Sequence, residues 1–197
     1  MRRWMVPLGT ALLGCSAFAA CTQESPMNQD SSIREKIVAS VAQDLDWNTD
    51  DVVVQSSEAL STGQCKFYRA SNRALPDAGV VHYGLPDDGA LIGGANDRLA
   101  TAEVLRRCGG QADATWWANV VSAFDGQAAG RPVPPEDKLS ISLITSAGGS
   151  YFAPRLTTTG GETVAEFFVI RHATQPFIIK ASLPRQGPLE VVATPVR

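Results

Sequence analysis

The chain has 197 residues, with 17 Lys and Arg against 20 Asp and Glu, and a formal net charge of −3. This length suits one domain or two small ones. No basic cluster is present that could follow a phosphate backbone or an anionic lipid surface, so nucleic acid is not expected as a partner.

The first 20 residues have the three-part layout of a secretory signal peptide. Arg2 and Arg3 give a positive start, an apolar run follows over Trp4–Leu13, and small residues continue to Ala20. The apolar run is well short of the roughly 20 residues that a permanent transmembrane helix needs. We therefore predict that residues 1–20 are a signal peptide for export and not part of the fold.

The end of this segment resembles the lipobox of bacterial lipoproteins, in which small residues precede a Cys that becomes the lipid-bearing N-terminus. Phe18-Ala19-Ala20 stand before Cys21, while Leu12-Leu13-Gly14 before Cys15 form a second candidate that leaves a very short signal. Cleavage after Ala19 without lipidation is a third interpretation, because the preceding residues also fit the small-x-small rule.

The number of cysteines favours Cys21 as the lipidation site. If Cys21 is lipidated, Cys15 leaves with the signal peptide, and Cys65 and Cys108 remain as one pair. Either alternative leaves three cysteines and one unexplained thiol. Since exported proteins meet an oxidising environment, we predict a disulfide between Cys65 and Cys108.

Lipidation would attach the protein to a membrane through its acyl chains. Without Arg2 and Arg3, 15 basic residues remain against 20 acidic ones, a formal net charge of −5. By resemblance to enterobacterial lipoprotein sorting, Thr22 in place of Asp after the lipidated Cys implies the periplasmic face of the outer membrane. A soluble periplasmic or secreted protein is the alternative.

The mature chain is predicted to begin with a polar tether over residues 21–30, followed by a single domain over 31–197. The segment after Cys21 reads TQESPMNQD and has no apolar periodicity. A first helix is predicted from Ser32, since Ser32 and Glu35 have capping-box spacing. Its apolar stripe consists of Ile33, Ile37, Val38, Val41 and Leu45.

Short strands and two further helices are predicted up to residue 124. The β-rich patterns predict strands over Val52–Leu60, Cys65–Ala70, Val80–Tyr83 and Ala90–Ile92, the last two forming a hairpin. Helices are predicted over Arg98–Cys108, capped by Asn96 or Asp97, and over Ala114–Phe124, capped by Asp113. Gly109 occupies the position at which a left-handed helix cap is expected.

Beyond an irregular stretch from Gly126 to Asp137, the pattern predicts strands only. Their short connections predict an antiparallel meander, with Thr163–Arg171 as an internal strand because its apolar run is nearly continuous. The five strands are Leu139–Thr145, Ser150–Leu156, Thr163–Arg171, Phe177–Leu183 and Leu189–Thr194. The fold class is therefore α+β, with about three helices packed on one face of an antiparallel sheet, one shared core and one disulfide.

Few residues indicate chemistry. The glycine-rich stretch Asp87–Asp97 has neither EF-hand spacing nor a phosphate-loop Lys, and is read as a turn and a helix cap. His82 and His172 have no metal-ligand spacing nearby, and no metal or other cofactor is expected. Cys108 follows Arg106-Arg107, which would suit a reactive thiol, but the disulfide is the favoured interpretation.

Trp116 and Trp117 belong to a helical stripe that is typical of a core. Because adjacent residues diverge by about 100° around a helix, one of the two is a candidate for a partner contact at the rim.

We expect a non-enzymatic binding, interaction or inhibitor module, held at the bacterial envelope by its lipid. Its partner would be another envelope protein, or an incoming toxin or wall enzyme. One alternative is an envelope hydrolase with a carboxylate pair that the sequence does not reveal, because the separation of such a pair is spatial. Acids such as Asp44, Asp46, Asp50 and Asp51 have the pattern of a solvated helix end. Another is a structural accessory of an outer-membrane assembly.

Overall fold

The computed structural model describes residues 26–76, 79–94, 97–110 and 112–197. Within these ranges the chain forms four α-helices, a 3₁₀ turn and two antiparallel sheets, so the predicted α+β class is confirmed. The helices are α1 (Pro26–Leu45), α2 (Arg98–Cys108), α3 (Ala114–Phe124) and α4 (Lys138–Ser146), and the 3₁₀ turn is Thr49–Asp51. The strands are β1 (Val52–Ser56), β2 (Cys65–Asn72), β3 (Val80–Pro86), β4 (Ile92–Gly93), β5 (Arg131–Pro132), β6 (Arg155–Thr159), β7 (Glu162–Arg171), β8 (Gln175–Leu183) and β9 (Glu190–Pro195).

Helix α1 begins earlier than the capping-box spacing predicts. It starts at Pro26, so part of the segment that we read as a tether is helical. Proline is well tolerated in the first turn of a helix, where its missing N–H has no intrahelical partner to lose. Asp30, which we read as part of the tether, belongs to this helix. Its carboxylate accepts hydrogen bonds from Arg34 Nε at 3.2 Å and from the hydroxyl of Tyr68 at 3.0 Å.

The N-terminal strands form a sheet of their own, in the order β1-β2-β3-β4, and the predicted hairpin is its β3–β4 pair. Side chains alternate across β2, so that Phe67 and Tyr68 point to opposite faces. Helix α1 covers the Tyr68 face with an apolar stripe close to the predicted one. The buried members of the stripe are Ile33, Ile37 and Val41.

Helices α2 and α3 begin and end at the predicted residues, and each is capped by an aspartate. Asp97 accepts from the N–H groups of Leu99 and Ala100, and Asp113 accepts from the N–H of Trp116 at 2.8 Å. The carboxylates satisfy donors that have no intrahelical partner.

Gly109 does not adopt the left-handed cap that we predicted, since its φ is −92° and its ψ is 1°. Its N–H instead bonds to the Leu105 carbonyl at 3.0 Å. Close packing is the reason for glycine here, because a Cβ would lie 2.5 Å from that carbonyl oxygen and 3.2 Å from the rings of Trp116 and Trp117.

The C-terminal sheet contains the predicted meander, with β6, β7, β8 and β9 each antiparallel to the next. Strand β7 is internal, as predicted: Glu166 faces Arg155 on one side and Lys180 on the other, and β5 extends the β6 side of β7. The turn between β6 and β7 is Gly160-Gly161, with φ of 62° and 87°. Two consecutive positive φ angles match the strand twist of a tight hairpin and favour glycine at both positions.

The prediction of a strand over Leu139–Thr145 is wrong, since this segment forms helix α4. The alternation of Leu139, Ile141 and Leu143 suggested a strand, but the buried residues of the helix are Ser140 and Ile144, one helical turn apart. Asp137 starts the helix by accepting from the N–H of Ser140 at 3.0 Å.

The sheets and helices stack in layers, and the buried apolar residues of the described ranges form three clusters, the largest of which lies between the two sheets. Helices α2 and α3 lie between the two sheets, where they pack on the Phe67 face of the first sheet and the Phe167 face of the second. Helix α1 covers the outside of the first sheet and α4 the outside of the second, so helices cover both faces of each sheet rather than one. Within the described ranges, no helix combines the length and hydropathy required to cross a membrane.

Candidate functional site

A cleft of about 370 Å³ opens where the end of α2 approaches the β6–β7 hairpin. The residues that line the cleft come from five segments of the chain. They are apolar or small residues, two threonines and two arginines. The lining residues are Leu105, Arg106, Gly109, Gly110, Ala112, Trp117, Leu156, Thr158, Gly161, Thr163, Leu183, Pro184 and Arg185.

The wall formed by the second sheet presents hydroxyl groups and a guanidinium. Thr158 and Thr163 face each other across β6 and β7, and their Oγ1 atoms lie 3.1 Å apart. Arg185 follows the end of β8, and its guanidinium lies against Gly161 in the hairpin turn. A Cβ at position 161 would be only 3.1 Å from Arg185 Nε, so the turn glycine also makes room for this side chain.

The wall formed by α2 is joined to the opposite wall by Arg106. Its Nη2 donates to the carbonyl oxygen of Pro184 at 3.0 Å and to that of Gly187 at 2.6 Å. These two bonds hold the β8–β9 loop against the helix. Arg106 therefore bridges the two walls at this end of the cleft.

Trp116 and Trp117 are both among the buried residues of α3. Their exposed fractions are 8% and 5%, and Trp116 Nε1 donates to the carbonyl oxygen of Leu60 at 2.7 Å. Trp117 nevertheless lines the cleft. Its buried Nε1 has no acceptor among the described residues, and a Cβ at position 109 would lie 3.2 Å from it.

The predicted disulfide is present and lies at the α2 end of the site. Cys65, the first residue of β2, is bonded to Cys108, the last residue of α2, with their Cα atoms 5.7 Å apart. Both residues are buried. The reactive-thiol interpretation of Cys108 does not apply to this oxidised state.

The two histidines lie in separate places. His82 on β3 has its ring centroid 5.7 Å from that of Phe124, and its Nδ1 has no partner in the described part of the chain. Burial, and secondarily the charge of Arg69, lowers the pKa of His82 to about 4. His172 is exposed in the β7–β8 turn. Across the described ranges, no group of three or more His, Cys, Asp or Glu side chains could hold a metal ion.

The acidic residues around the end of α1 do not line the cleft. Asp44 is exposed and accepts from the hydroxyl of Ser40 at 3.2 Å, and Asp50 and Asp51 lie in the 3₁₀ turn. The buried Asp125 accepts from Arg98 Nε at 3.0 Å and also caps the following turn.

The predicted signal peptide and the predicted lipidation site at Cys21 lie outside the described residues. Sequence reasoning named Trp117 as a candidate contact but missed Arg106, Thr158, Thr163 and Arg185. No local signal identifies these four, because residues far apart in the chain form the cleft.

Comparison with known proteins gave no match: no protein family, no curated protein and no solved structure is significantly similar to this chain.

Proposed function

We propose that the mature protein is a lipid-anchored binding module of the bacterial envelope, and that its ligand or partner enters the cleft between α2 and the β6–β7 hairpin. The observation that carries this proposal is the lining of the cleft. Leucines and a tryptophan supply apolar surface, while arginine and threonine side chains supply hydrogen-bond donors. Ligand sites commonly combine a mostly apolar wall with a few polar groups that fix orientation.

The Cys65–Cys108 disulfide supports the envelope as the location. Structural disulfides persist in oxidising compartments such as the periplasm and are rare in the cytosol. This agrees with the export pattern of residues 1–20. The proposed anchor is Cys21, and the proposed location is the periplasmic face of the outer membrane.

The anchor would hold the domain close to the membrane. Helix α1 begins at Pro26, five residues after Cys21. At no more than about 3.6 Å per residue, the intervening chain reaches roughly 18 Å. The module would therefore act on partners near its own membrane, either as an interaction protein or as an inhibitor of an incoming toxin or wall enzyme.

A pair of tryptophan substitutions tests the cleft. Thr158 and Thr157 are both exposed on β6, but only Thr158 lines the cleft, since neighbouring strand residues face opposite ways. Thr158→Trp should fill the cleft, and Thr157→Trp is the matched control. Tagged mature proteins are incubated with envelope extract, and the retained molecules are identified by mass spectrometry.

A molecule retained by the wild type and by Thr157→Trp, and lost with Thr158→Trp, is the expected result. Equal retention by all three proteins would show that the cleft is not the binding site. Thermal melting of each variant checks that the fold is intact.

The anchor is tested separately by mass spectrometry of the mature N-terminus. Acyl chains on Cys21 are expected. A free N-terminus at Ala20, or acyl chains on Cys15, would contradict this part of the proposal.

A further inference from the structure

We infer that the cleft recognises a carboxylate, namely the free C-terminal carboxylate of a short peptide segment, and that Arg185 is its anchoring residue. This inference rests on the proposed function and specifies the ligand class. The first observation is the charge of the lining. The chain as a whole is acidic, with a net charge of −3, yet the charged residues that line the cleft are Arg106 and Arg185.

The two arginines differ in how their donors are used. Arg106 is engaged with the carbonyl oxygens of Pro184 and Gly187. Arg185 is exposed and, within the described residues, has neither a hydrogen-bond acceptor nor a carboxylate within 4.0 Å. The described residues therefore leave the donors of this planar guanidinium unpaired, and its fork geometry matches the two oxygens of a carboxylate.

The surroundings of Arg185 favour a peptide terminus over an inorganic anion. Leu105, Leu156 and Leu183 add apolar surface that a phosphate ion would leave unused, whereas a C-terminal side chain would cover it. The hydroxyls of Thr158 and Thr163 can bond to a peptide group beside the carboxylate.

The size of the cleft limits how much of a peptide it holds. Its volume of about 370 Å³ is near the lower end of the range for small-molecule sites, roughly 300–1,000 Å³. This space suits the last one or two residues of a chain.

The test uses N-acetyl-Ala-Leu with a free carboxylate, its C-terminal amide, and inorganic phosphate. Binding to the purified mature protein is measured by isothermal titration calorimetry and by the change in tryptophan fluorescence, since Trp117 lines the cleft. The free acid should bind at least about tenfold more tightly than the amide, because only the acid makes charge-assisted hydrogen bonds. Its affinity should also fall as the salt concentration rises.

Arg185→Gln should weaken binding of the free acid about tenfold to hundredfold and leave binding of the amide unchanged. Arg73→Gln is the matched control, because Arg73 is also exposed and follows β2 at the end opposite the Cys65–Cys108 disulfide. It removes the same charge and should have no effect on the affinity.

Equal affinity for acid and amide, tighter binding of phosphate than of the acid, or an unchanged affinity in Arg185→Gln would each overturn the inference. Absence of acid binding at millimolar concentration would overturn it as well. The proposed function would still stand in each case if the wild type and Thr157→Trp retain an envelope molecule that Thr158→Trp does not retain.

Discussion

Replacing Cys65 and Cys108 by alanine should destabilise the domain by about 4 kcal/mol. The bridge closes a loop with a sequence separation of 43, and the chain-entropy relation gives about 4 kcal/mol for such a loop. A domain of this size loses roughly 2–4 °C of melting temperature per kcal/mol, so the expected decrease is roughly 8–16 °C. Both side chains are buried beside Phe67 and Leu105, and their loss also removes apolar contacts.

Differential scanning calorimetry in buffer without reductant measures the effect. Each single variant and the double variant should melt at similar temperatures, because opening the bridge from either side removes the same constraint. The wild type with reductant should approach the variants. If the two single losses add up in the double variant, or if both native thiols react with maleimide before reduction, the reasoning is refuted.

Two further predictions follow from burial and strand position. Burial lowers the pKa of His82 from 6.5 to about 4. Between these pH values the unfolded chain binds more protons than the folded protein, so the free energy of unfolding should fall as the pH drops through this window, by at most about 3 kcal/mol. Guanidinium unfolding at pH 7 and pH 4 should show this loss in the wild type, with a smaller loss in His82→Phe; equal losses in both proteins would exclude His82 as the cause. The amides of Phe167, Phe168 and Val169 should be among the slowest to exchange with deuterium, since β7 is paired on both sides and these residues are buried. Exchange there as fast as in the short edge strand β4 would contradict an internal β7.

Local chemistry explains which elements the sequence predicted correctly. Asp97 and Asp113 each stand directly before an apolar helical stripe, and both helices begin where these caps place them. The meander was predicted because its turns carry recognisable residues, such as Gly160-Gly161. Helix α4 was missed because Leu139 and Ile141 alternate like the inward face of a strand, whereas in the helix Leu139 is exposed, Ile141 is only partly buried and Ile144 is fully buried. Tertiary packing outweighed the period-two pattern there.

The cleft shows why a site is harder to predict than an element. Thr158 and Thr163 meet through strand pairing, and Arg185 lines the same cleft from the β8–β9 loop, to which Arg106 is hydrogen-bonded. None of these contacts can be predicted from a fixed spacing of residues along the chain. Trp117 could be singled out from the sequence because of its residue type, but its role in lining a cleft depends on where Gly109 allows the end of α2 to pack.

The disulfide and the cleft are mechanically connected through the last turn of α2. Cys108 fixes this turn to the first sheet, whereas Arg106, two residues earlier, holds the β8–β9 loop that carries Arg185. Gly109 and Gly110, which directly follow the bridged cysteine, line the cleft. Opening the bridge would therefore remove the covalent connection between this turn and the first sheet, whereas the hydrogen bonds of Arg106 to the β8–β9 loop would remain. A site that depends on a fixed distance between its walls would lose preorganisation, and ligands bind more weakly when a site must be ordered on binding. We therefore expect the oxidised cysteines to contribute to the proposed binding as well as to stability, as suits a protein of an oxidising compartment.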